Sequence, residues 1–283
     1  MQRSGIKIQI RFKGMFKLKN LLFTALLSLL AVLPVEAGEK IVIAGTGDSQ
    51  ALLREVALAY QQSHPGSTVE IQDSIGSSGG IRLVAAGRAD LGRVARHLRE
   101  NEKGYNLHYR QFASAPVVFA IHPEVVGVDG LTDREVIDIY SGKIGNWRDL
   151  GGTDRPILVV NREPGDSSRT ILEQHIEGFR EISRLAGRII YSTSEAAETI
   201  ARYRNTIGYL PLSEARAAGL KVLRYNHIEP DGENLRQGLY PLAMPLGIVW
   251  KGKPTGPAAD FLAYLTGREA VNIYRTHGVE PVL

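Results

Sequence analysis

The chain has 283 residues, with 34 lysines and arginines against 30 aspartates and glutamates, and no cysteine. Disulfides and cysteine-held metals are therefore excluded. The positive balance belongs to the first 37 residues, which hold six basic residues and one acidic; the rest carries 28 basic against 29 acidic, which argues against a nucleic-acid partner.

Residues 1–37 read as an export leader. Basic residues run from Arg3 to Lys19, an apolar stretch follows from Leu21 to Leu33, and a small-residue pattern ends at Ala37. The apolar stretch is short of the roughly 20 residues a spanning helix needs. Met15 offers a second start, and no lipid-anchoring cysteine follows the apolar stretch. The expected location is the periplasm, without a lipid anchor.

Beyond the leader, "KIVIAG" predicts a strand and "SQALLREVALAYQQSH" an amphipathic helix with apolar residues at 52, 53, 56 and 60. "TVEIQDS" reads as a strand and "GIRLVAAGR" as a helix. After the apolar "APVVFAIHP" come a helix in "TDREVIDIYSG", a strand in "PILVV" and a helix in "SSRTILEQHI". Next are the helical "EAAETIARY", the strand-like "TIGYLPL" and a hairpin-like region around "EPDGENLRQG". "LGIVW" and one closing helix, "AADFLAYLTGREAVNIYRTHG", end the chain. This alternation predicts an α/β fold with mostly parallel sheets. "SAPVVFAIHP" and "YPLAMPLGIVW" are the natural crossings between two bodies, since no linker joins them.

Three strand-to-helix loops stand out. "GTGDSQ" places Asp48 and Ser49 where they can cap the next helix, or where Ser49 can meet an anion. "SIGSSGGIR" sets Ser77 and Ser78 among glycines, a nest of N–H donors or a plain flexible turn. "REPGDSSRT" brings Arg162, Asp166, Ser167 and Ser168 together; the arginine fork suits an oxyanion, while Asp166 is either a cap or an acceptor for a ligand proton. Open parallel sheets bind ligands beyond the carboxyl ends of their strands, so three such loops reinforce one another. A G-D-S esterase would need a late D-x-x-H block, and no histidine after "GTGDSQ" has an aspartate three places earlier. The seven histidines show no metal spacing, and neither a Walker loop nor G-x-G-x-x-G occurs. Trp147 and Trp250 read as core.

"IGSSGGIRLVAAGRADLG", "IYSGKIGNWRDL", "TIGYLPLSEA" and "FLAYLTGREAVNIYRTHGVEPV", in that order, resemble the PstS-like phosphate-binding proteins of ABC importers. The resemblance implies a two-lobed periplasmic-binding type II fold. Residues 38–115 plus 241–283 would form one lobe and 116–240 the other, joined by two crossing strands. It places the family's ligand-binding hydroxyls on Ser49 and Ser77 and its arginine on Arg162. Two departures accompany it. Where the family's third loop commonly has Gly-Ser-Gly-Thr after the arginine and two variable residues, Asp166 replaces the first serine, Ser167 the second glycine and Ser168 the threonine. Ala95 stands where an aspartate often accepts the phosphate proton. The expected function is capture of an oxyanion, phosphate first, by a monomer that serves an inner-membrane ABC permease. No cofactor, metal or catalysis is expected. Another oxyanion, a small phosphorylated or carboxylated ligand, or a non-transport role as sensor, scaffold or adhesion protein are the alternatives on the same fold.

Overall fold

Strand and helix alternate from Lys40 onward, as the periodicities predict. The computed structural model describes residues 39–282, so the expected leader lies outside the described residues. The first half contains β1 (Lys40–Gly45), α1 (Gln50–Ser63), β2 (Thr68–Ser74), α2 (Gly76–Ala85), β3 (Leu91–Val94), β4 (Leu107–Ile121), β5 (Gly130–Leu131) and α3 (Asp133–Tyr140). Next come β6 (Leu158–Arg162), α4 (Ser167–His175), β7 (Arg188–Ile190), α5 (Thr193–Arg202), β8 (Thr206–Pro211), α6 (Leu212–Ala217), β9 (Lys221–Val222) and β10 (Arg224–Tyr225). The chain closes with α7 (Gly232–Arg236), β11 (Ala243–Lys251), α8 (Gly256–Tyr264), α9 (Arg268–Thr276) and β12 (Glu280–Pro281).

The main sheet runs β2-β1-β3-β11-β4-β8-β6-β7. Its two flanks are parallel: β1 pairs with β2 and β3, and β6 with β7 and β8. The middle is antiparallel, because β11 returns from the far end of the chain to lie between β3 and β4. The 15-residue β4 is what joins the halves. Its first part pairs with β11 and its second with β8 and β9, and Pro116, which has no N–H to donate, stands at the handover. Leu242 continues the passage by accepting the Val117 N–H at 2.8 Å. The result is the expected two-lobed α/β fold. One apolar cluster, from Ile41 to Val279, runs through both halves, and smaller ones seat α2 and α5 on their own strands.

Two local expectations are corrected, and two short strands go unread. "EPDGENLRQG" forms the short helix α7 in place of a hairpin, because Asp231 accepts the Asn234 N–H at 2.8 Å and caps it. The single closing helix is two, α8 and α9, broken at Thr266–Gly267; the Tyr274 hydroxyl folds α9 back onto the Leu265 carbonyl at 2.8 Å. β3, Leu-Gly-Arg-Val, and β7, Arg-Ile-Ile, are strands too short and too interrupted by charge for an apolar pattern to reveal. Among the described residues no helix is long and apolar enough to cross a membrane.

Candidate functional site

The carboxyl ends of β1, β2, β3, β6 and β7 all open onto one cleft of about 420 Å³. Two close approaches build its first wall. Gly45 ends β1 at φ +139°, and a Cβ there would lie 2.0 Å from the Arg93 carbonyl. Gly80 lets α2 settle so closely that a Cβ would come within 2.6 Å of the Gly45 Cα. Arg93, fully buried, ties these strand ends together by donating to the carbonyls of Ile43 at 3.0 Å, Gln72 at 2.6 Å and Thr46, and to the Gln50 side chain at 3.1 Å. Burial pushes its pKa down to about 10, so it remains charged at neutral pH.

Arg162 holds the second wall. The tyrosine hydroxyl of Tyr209 and the Asn161 side chain accept its backbone N–H at 3.1 and 3.0 Å, fixing the strand end. Its guanidinium, almost wholly buried, donates from Nε to the Ile190 carbonyl at 3.2 Å and from Nη1 to Thr193 Oγ1 at 3.1 Å. Nη2 lies 2.7 Å from Asp166 Oδ2. The other oxygen of Asp166 accepts the Arg169 N–H at 3.0 Å, capping α4. Asp166 is therefore both a cap and a counter-ion. Burial pushes its pKa up to about 6, against the pull of Arg162 and with a further push from Asp48.

A chain of hydroxyls links the walls. Thr193 donates to Asp48 Oδ1 at 2.9 Å, and Thr46 donates to Asp48 Oδ2 at 2.7 Å. Helix α2 meanwhile points its N-terminus into the cleft with Ser77 in its first turn. The Ser77 oxygen accepts the Ala95 N–H at 3.1 Å, which leaves its own proton to donate. Ser78 is tied more tightly: Arg96 Nη2 donates to it at 2.8 Å, and Arg96 also grips Glu102 through both carboxylate oxygens at 2.7 Å. Burial raises the Glu102 pKa, but Arg96 and the Arg99 N–H outweigh it and hold the carboxyl below its usual range.

Of the residues expected from the sequence, Ser77, Ser78, Arg162, Asp166 and Ser167 line the cleft. Asp48 stands one layer behind, reached through Thr46 and Thr193. Ser49 and Ser168 are sealed beneath the surface, their hydroxyls without hydrogen-bond partners, and neither lines the cavity. Sequence reasoning missed Thr46, Thr193, Arg82, Arg96 and Arg99. Thr46 lay in a loop already singled out. Thr193 follows a three-residue strand with no signal of its own.

Neither Asp48 nor Ser49 caps α1. Glu214, from α6 of the other half, accepts the Ala51 N–H at 2.8 Å. Burial pushes this carboxyl up to about 7, with Asp48 adding to the rise. A folded pKa above the unfolded one means stability that is full below about pH 4.5 and lost as pH climbs through 7. Glu214→Gln keeps an acceptor for Ala51 and removes the charge. The variant should gain about 2–3 kcal/mol on the wild type at pH 8 relative to pH 5, read as a flatter Tm-versus-pH curve. Parallel curves for the two proteins would show that Glu214 does not titrate there.

A cleft of donors at the seam of two half-sheets, with the walls linked by hydroxyls, is the architecture of a two-lobed solute-binding protein of the type II kind. Residues 34–269 match the profile of the PBP superfamily domain, and the chain belongs to that superfamily. It is 27% identical over 237 residues to the phosphate-binding protein PstS of Bacillus subtilis, covering 83% of this chain and 77% of that one. It is also 27% identical over 271 residues to PstS of Borreliella burgdorferi, covering 91% and 96%. Among solved structures, a phosphate ABC transporter substrate-binding protein of Clostridium perfringens with bound phosphate superposes with a TM-score of 0.76 at 26% identity, covering 87% of this chain and all of that one. The resemblance to the PstS-like family read from the motifs is borne out.

Proposed function

We propose that this chain captures phosphate between its lobes as the periplasmic binding component of an ABC importer. The observation that carries the reading is the convergence on one cleft of a buried guanidinium, Arg162, and the N-termini of α2 and α4 from opposite walls. Each helix start presents backbone N–H groups and the positive end of its dipole. Ser77 and Ser167 add hydroxyls from the first turns of these two helices. A buried anion must meet a donor at each oxygen, since leaving one unpaired costs several kcal/mol. The lobes correspond to residues 38–115 with 241–283 and to 116–240, and the partner handover within β4 supports that division. The protein performs no covalent chemistry; as an exported monomer without a lipid anchor, it delivers the ion to a membrane permease. The names of its relatives and the bound phosphate of the C. perfringens protein support this reading.

Titration calorimetry with phosphate at pH 7.5 tests it, and a protein that takes up no phosphate would refute it. Ser77→Ala should weaken binding by roughly 1.5–3 kcal/mol, the value of one hydrogen bond to a charged group. Ser49→Ala, beneath the wall, should leave the affinity as it is. Equal effects from the two serines would place the ion elsewhere in the cleft.

A further inference from the structure

We infer that the mouth of the same cleft holds a second anionic subsite, formed by Arg82 and Arg99, and that the preferred ligand is a phosphate carrying a further acidic group. The inference rests on the phosphate reading above. It starts from the charge of the inner wall. The charge of Arg162 is already matched by Asp166 at 2.7 Å; Ile190 and Thr193 take two more of its five N–H donors, which leaves one on each Nη for the phosphate. Arg96 is likewise committed to Glu102.

The two outer arginines differ. Both line the cleft, both are exposed, and among the described residues neither guanidinium pairs with a carboxylate or donates a hydrogen bond. Arg82 sits four residues after Ser78 on α2, one turn further along the same helix face. Arg99 reaches from the segment after β3 toward the opposite wall, where a methyl group on Gly165 would lie 3.8 Å from its Nη2. Four arginines against two carboxylates, Glu163 and Asp166, line the cavity, so a positive excess remains at the rim.

Size points the same way. The cavity of about 420 Å³ falls among pockets of roughly 300–1,000 Å³ that hold whole organic ligands, far beyond an ion of five heavy atoms. The walls already meet at the back. Thr193 bonds to Asp48 at 2.9 Å, and a Cβ on Gly47 would sit 3.0 Å from Thr193. A phosphate held at the start of α2 would leave room for its substituent toward the rim. Two free guanidinium forks there match a carboxylate or a second phosphoryl group.

Calorimetry on the wild type and on the Arg82→Gln/Arg99→Gln double variant decides the matter, with four probes: orthophosphate, glycerol phosphate, phosphoglycerate and pyrophosphate. The wild type should bind phosphoglycerate or pyrophosphate about tenfold or more tighter than glycerol phosphate, whose substituent is neutral. The double variant should lose about tenfold more affinity for the acidic ligand than for orthophosphate. A gain confined to phosphoglycerate identifies the second group as a carboxylate, and one shared by pyrophosphate identifies it as any anion. Orthophosphate binding with no preference among the esters would overturn the subsite and leave the phosphate reading standing. Binding of none of the four would overturn both.

Discussion

Arg162→Ala should abolish measurable phosphate binding and destabilise the folded protein by about 3–5 kcal/mol, the usual cost of stripping one partner from a buried ion pair. The side chains of Arg162 and Asp166 are only 4% and 7% exposed, so water cannot replace the missing guanidinium. Asp166 would then face Asp48 with only the Arg169 N–H to offset its charge. The carboxyl has an escape in protonation. Its pKa already stands at about 6, and losing Arg162 raises it further. The folded pKa then lies well above the unfolded one, so stability is retained at low pH and lost as pH rises through the raised value. The Tm deficit of the variant should therefore shrink from pH 8 to pH 5. Arg162→Ala/Asp166→Ala should recover most of the stability at pH 8 and none of the binding. Phosphate affinity unchanged in the single variant would remove Arg162 from the site.

Asp166→Asn should admit sulfate, raising the sulfate-to-phosphate affinity ratio by about tenfold or more. Phosphate near neutral pH carries a proton that a carboxylate can accept; sulfate has none and meets only repulsion. We propose that Asp166 makes this distinction from the second wall, in place of the acceptor missing at Ala95, whose N–H instead orients Ser77 at 3.1 Å. Asparagine is nearly as good a helix cap, so α4 should persist and the change should report on charge alone. Since the carboxyl titrates at about 6, it is ionised at pH 7.5 and largely protonated at pH 5. Wild-type discrimination against sulfate should accordingly weaken in acid, and that of the asparagine variant should not change. A ratio that does not respond to the substitution would leave Asp166 as a cap and counter-ion only.

Much of this architecture was legible in the residues. Helix α1 announces itself by apolar positions 52, 53, 56 and 60, and all four are buried, together with Gln50 and Ala57. Arg162, Ser77 and the loop at Asp166 were recognisable because strand ends, glycines and caps are written over a few consecutive residues. Even the seam in β4 was visible, as an apolar run flanked by prolines. These features depend on local periodicity and backbone sterics, which a short window contains.

Other assignments needed the assembled fold. Ser49 looked like a ligand hydroxyl from its loop, yet packing seals it while Thr46, three residues earlier, faces the cleft. The cap of α1 is a glutamate 163 residues away, and one of the two hydroxyls on Asp48 comes from a threonine 145 residues away. Arg93 reads as an ordinary charge in "DLGRV", but three carbonyls at the ends of β1 and β2 let it be buried. By itself the sequence determined the two-lobed α/β plan and which loops carry the donors, because helix and strand patterns and turn chemistry act over neighbouring residues. Only the tertiary structure decided which side chains meet in the cleft and which of its charges are already paired. Those contacts depend on the distance between strand ends that the chain separates by more than a hundred residues.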